Sequence, residues 1–96
     1  MERVYSFPDF ESAFRAVLEL EGIPKDILTG INYFYRQGLH ILVVFVESQG
    51  LEDVESILSR GGKPYPKGVR ELLEEDWDLQ FLGDAGPMMK VLKGLA

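Results

Sequence analysis

Arg60, Lys63, Lys67 and Arg70 place four of the chain's ten cations within eleven residues, with Gly61 and Gly62 among them. A glycine-rich backbone can turn several N–H groups toward an anion, and lysine adds a point charge. Arg60, Gly61, Gly62, Lys63, Lys67 and Arg70 therefore form a candidate site for a small anion: phosphate, a nucleotide or nucleic acid. They do not form a P-loop, because the G-x-x-x-x-G-K-[ST] spacing is missing. Without a ligand, the same residues read as a solvated loop whose cations balance the acids that follow.

Other reactive residue types are sparse. The chain has no cysteine, so disulfides, thiolate metal sites and thiol nucleophiles are excluded. His40 is its single histidine and lacks the partners of a triad or a histidine metal site. Hairpin pairing would set it opposite Tyr35, whose hydroxyl could bond it. Glu71, Glu74, Glu75, Asp76 and Asp78 make an acidic run, a pattern that can serve acid–base or magnesium chemistry. The three glutamates fall at helical spacing opposite Val69, Leu72 and Leu73, which reads as the solvated side of an amphipathic helix. Asp84, in Gly83-Asp84-Ala85-Gly86-Pro87, suits a helix N-cap. These residues imply no cofactor and no metal, and they lean against an enzyme.

Hydrophobic spacing locates the elements that would carry these residues. Phe10, Ala13, Phe14, Val17 and Leu18 recur at helical period and predict a helix over 9–21, stopped by Gly22-Ile23-Pro24. Ser6 or Asp9 can cap it. Residues 31–36 and 39–47 are rich in aromatic and β-branched types and predict two strands joined at Gln37-Gly38. In that register one face carries Asn32, Phe34, Leu39, Ile41, Val43 and Phe45. The other carries Ile31, Tyr33, Tyr35, His40, Leu42, Val44 and Val46. Leu51, Val54, Ile57 and Leu58 predict a helix over 51–60. Residues 63–68, with two prolines, predict a loop. Val69, Leu72 and Leu73 suggest a short helix. Trp77, Leu79 and Phe81 alternate as one face of a strand, and Met88, Val91, Leu92 and Leu95 mark one face of a last helix over 87–95. Residues 3–7 supply a possible first strand.

The resulting order, β-α-β-β-α-(α)-β-α, predicts a single α+β domain over 1–96. Its antiparallel sheet would be ferredoxin-like (split β-α-β), with 39–47 central, helices mainly on one face and an added C-terminal helix. Strand 39–47 lacks the glycine and basic residue of the RNA-recognition signature, and no Met-x-Cys-x-x-Cys is present for metal.

At 96 residues, 46% apolar and 27% charged, the chain is long enough to bury one core. Its net charge of −6 opposes a phosphate backbone and argues against nucleic acid as a general ligand. No signal pattern opens the chain and no apolar run can span a bilayer, so a cytoplasmic protein without membrane contact is expected. Function is expected in binding. Both faces of the hairpin are apolar, yet few helices are available to cover them. Tyr33, Phe34, Tyr35, Ile41, Val43 and Phe45 are thus candidate interface residues of a self-associating module, a two-fold homodimer being the commonest closed form. The competing expectation is that residues 87–96 cover the second face within one chain.

Overall fold

Gln37 and Gly38 both take positive φ, 48° and 84°. A two-residue turn of this hand matches the right-handed twist of the strands it joins. It fixes Arg36 opposite Leu39 and Tyr35 opposite His40, as the sequence predicts. The computed structural model describes residues 1–95. They form β1 (Glu2–Phe7), α1 (Phe10–Leu20), β2 (Leu28–Arg36), β3 (Leu39–Val46), α2 (Leu51–Ser59), β4 (Lys63–Pro64), α3 (Val69–Leu73), β5 (Leu79–Phe81) and α4 (Ala85–Leu95). A short 3-10 turn, Ser48–Gly50, leads into α2. This is the expected mixed α+β fold, with an antiparallel sheet in the order β4-β1-β3-β2-β5 and β3 at its centre.

Alternation along β2 and β3 divides the core in two. Ile31, Tyr33, Leu42, Val44 and Val46 face one side, where they pack with Ala13, Ala16, Val17 and Leu20 of α1, Val54 and Leu58 of α2, and Ala85 and Met89 of α4. Asp9 caps α1 by accepting from the Ser12 N–H at 2.8 Å. Phe34, Ile41 and Val43 face the other side and pack with Leu72 of α3, flanked by Val4, Leu39, Phe45, Tyr65, Val69 and Trp77.

Four expectations are corrected here. Lys63 and Pro64 are a strand stub rather than loop, pairing with Ser6 and Tyr5. Proline is tolerated there because the stub is an edge strand. The last strand lies beside β2, at the opposite edge, with Leu79 against Tyr35 and Phe81 against Tyr33. Residues 65–78 therefore cross beneath the second face from one sheet edge to the other. The crossing is anchored at its start by the Tyr65 N–H on the Val4 carbonyl (2.9 Å) and at its end by the Asp78 N–H on the Tyr35 carbonyl (2.8 Å). Trp77 does not share a face with Leu79 and Phe81. Its ring lies 5.3 Å from that of Phe34, and its indole N–H donates to the Leu72 carbonyl at 2.7 Å. Finally, α4 does not cover the second face, because it packs with α1 on the first.

Candidate functional site

The expected interface residues are consumed by the fold. Tyr33, Phe34, Ile41 and Val43 are buried, and Tyr35 and Phe45 are half-buried. The crossing segment covers the face that sequence patterning left bare. A dimer built on that sheet face has no open apolar surface on which to form.

The basic loop is divided. Arg60 sits at the C-terminal end of α2, donates to the Ser56 carbonyl at 3.2 Å and pairs with Glu19 at 2.9 Å. A cation is stabilised at such an end, whereas an anion would meet the helix carbonyls. The Gly62 N–H is spent on the Leu58 carbonyl at 2.9 Å. Gly62 is needed for packing: a Cβ there would come within 2.8 Å of the Phe7 ring. Lys67 pairs with Glu75 beneath the sheet, and this carboxylate raises the lysine pKa. Arg36 lies 3.5 Å from the other Glu75 oxygen and 4.6 Å from the centre of the Trp77 ring. Glu75 is thus half-buried between two cations and does not belong to a solvated face. Only Arg60, Gly61, Gly62 and Lys63 share a cleft, of about 540 Å³, with Ser6 and Ser59. Lys63 and Arg70 have no ion-pair partner among the described residues.

His40 is buried, with its Nδ1 2.8 Å from the Tyr33 hydroxyl. Tyr35 lies opposite, ring centres 4.8 Å apart, but it is Tyr33 that makes the bond. Burial holds the imidazole below its usual pKa, partly opposed by the Asp9 carboxylate. Burial also pushes the Tyr33 phenol up, and Tyr35 adds to this. A neutral imidazole beside a protonated phenol is a satisfied polar pair in an aromatic wall. Among the described residues no cluster of three or more histidine, aspartate or glutamate side chains is placed to hold a metal. A further cleft of about 380 Å³ opens between the end of α1 and the start of β2, lined by Glu21, Ile23, Lys25, Thr29 and Asp84 among others.

The surface that sequence reading missed is on α4. Met88, Val91, Leu92 and Leu95 were expected together on one face of it. Instead Ala85, Gly86 and Met89 are buried, and Leu92 is half-buried. Met88, Val91 and Leu95 are 46%, 55% and 79% exposed. Two apolar stripes share this short helix, and spacing alone does not rank them. The stripe 85, 89, 92 was available as a signal once the helix was seen to start at Ala85 rather than Pro87. At about 100° per residue, Met88, Val91 and Leu95 fall within a sector of about 60°. Lys90 and Lys93 turn the other way, to Glu21 (3.0 Å) and Glu11 of α1. The exposed residues around the stripe, Pro87 and Gly94, carry no charge.

No family model matches the sequence, and no curated protein matches it. Among solved structures the chain is similar to the crystal structure of the C-terminal domain of YpbH, with a TM-score of 0.74. The two are 22% identical, over 95% of this chain and 97% of that one. The likeness bears on fold. Among the described residues, no helix is long and apolar enough to cross a membrane.

Proposed function

We propose that this domain is a protein-interaction module whose docking element is the outer face of α4. One observation carries the reading. In a chain that is 27% charged, both lysines of this helix lie to one side, paired at the surface with Glu21 and Glu11, and the row of Met88, Val91 and Leu95 faces solvent without a charge in it. Single exposed apolar residues are ordinary, but a contiguous exposed apolar row marks a contact surface.

The methionines test the reading without a known partner. Met88 and Met1 are both exposed (46% and 60%), while Met89 is buried. Peroxide oxidises exposed thioethers. In cells holding the protein at its natural level, Met88 is expected to oxidise several-fold more slowly than in the dilute pure protein, with Met1 unchanged. Equal Met88 rates in the two settings would overturn the proposal.

A second reading keeps a reduced anion site, because Lys63, which has no ion-pair partner among the described residues, lines a cleft with Ser6. Phosphate would bind there with an affinity that falls as salt rises. Calorimetry showing no phosphate binding to the wild type, or binding that Lys63→Glu leaves unchanged, removes it.

A further inference from the structure

We infer that the cleft between the end of α1 and the start of β2 binds a free amino acid with an aliphatic side chain. The outer row of α4 takes no part in this site. The cleft holds about 380 Å³, which falls in the range of small-molecule sites. Its floor is aliphatic. Leu20, Leu28 and Ile31 are buried there, and Ile23 is half-buried beside them. Gly30 and Gly83 also line the cleft and add no side chain to fill it. The Ile31 N–H donates to the Gly83 carbonyl at 2.9 Å, which ties the floor to the turn before α4.

The rim carries charge of both signs. Lys25 is exposed and has no ion-pair partner among the described residues. Asp84 accepts the Gly86 N–H on Oδ1 at 3.3 Å and likewise has no cation within ion-pair distance among those residues. Glu21 is already paired with Lys90 at 3.0 Å. A Cβ on Gly86 would lie 2.8 Å from Glu21 Oε2 and 3.4 Å from Asp84 Oδ1, so two carboxylates converge at this corner and one is uncompensated. A simple anion would sit on Lys25 and leave Asp84 bare. A simple cation would sit on Asp84 and face Lys25. A zwitterion satisfies both, its carboxylate on Lys25 and its ammonium on Asp84, through charge-assisted hydrogen bonds. Its side chain then rests on the aliphatic floor. The end of a peptide brings only one of the two charges, which selects the free amino acid.

Titration of the full chain with L-leucine, followed by amide NMR, tests this. Leucine is expected to shift residues 28–31 and 83–84 saturably, with a Kd of about 0.1–1 mM. Leucinamide lacks the carboxylate, N-acetyl-leucine lacks the ammonium, and glycine lacks the apolar body. Each should bind at least about tenfold more weakly. Lys25→Gln changes an exposed residue, and Asp84→Asn keeps a side chain that can cap α4. Each should weaken leucine binding by at least about tenfold. No saturable shift up to about 10 mM leucine would overturn the inference. So would leucinamide or N-acetyl-leucine binding as tightly as leucine, or leucine binding that both variants leave unchanged.

Discussion

Beneath α1, α2 and α4 the sheet packs Ile31, Tyr33, Leu42, Val44 and Val46 against Leu20, Val54, Leu58 and Met89 of regular helices. Beneath residues 65–78 it packs Phe34, Ile41 and Val43 against one five-residue helix, one indole and a tyrosine. The first cover is apolar and periodic. The second is irregular and fastened by polar contacts. The Val69 N–H donates to Glu2 at 3.1 Å, the Arg36 guanidinium to the Asp76 carbonyl at 2.8 Å, and the Gln37 N–H to Asp78 at 3.2 Å. The centre of a sheet face can thus be buried without a matching helix, provided backbone and charged groups hold the covering segment in place.

The largest expected effect asks whether the two cores are equal in strength. Phe34→Ala on the second face should cost about 3–5 kcal/mol, and Leu20→Ala on the first about 2–5 kcal/mol, in urea unfolding. A Phe34→Ala cost below about 1 kcal/mol would mean that the crossing segment collapses into the gap and is no true core. A smaller effect separates the covers. Trp77→Ala should cost about 2 kcal/mol. It should speed amide exchange in residues 65–78 while leaving α1 protected, because local opening follows the weaker anchors. Uniform acceleration across both segments would show one cooperative unit. The smallest effect belongs to the first face. His40 has a folded-state pKa below its unfolded value of 6.5, so its contribution is fully present above about pH 6.5 and is lost as pH falls toward the folded value. His40→Gln should flatten the stability profile in that window. An unaltered profile would show that another group titrates there.

The hairpin was readable because β-branched and aromatic types, period two and a glycine turn all agree between 31 and 46. The helices on the first face were readable from a 3.6 period, with α1 and α2 each displaced by only a residue or two. The path of 63–81 was not. Lys63-Pro64 is too short to show a period, and the side on which Leu79–Phe81 docks depends on what lies beneath Phe34. Trp77 misled because alternation with Leu79 and Phe81 looked like one strand face, whereas the chain turns before Leu79. The same blindness misplaced the candidate interface: Phe34, Ile41 and Val43 were correctly grouped, and their cover went unseen. The basic cluster looked unified because 60–70 is contiguous in sequence, yet Arg60 pairs with Glu19 above the sheet and Lys67 with Glu75 below it. Met88, Val91 and Leu95 were grouped with Leu92 on one face, and of the four only Leu92 is half-buried.

The crossing of residues 65–78 also orders assembly in time. It is held at Val4 of β1 and at Tyr35 of β2, strands joined only through β3, so both anchors are in place only once β1, β3 and β2 have paired. β1 must find β3 across roughly 40 residues, a slow, non-local step. Contacts of Leu72 and Trp77 then form after the rate-limiting pairing. Substitutions there should hasten unfolding and leave the folding rate nearly untouched, while substitutions in β3 should slow folding itself.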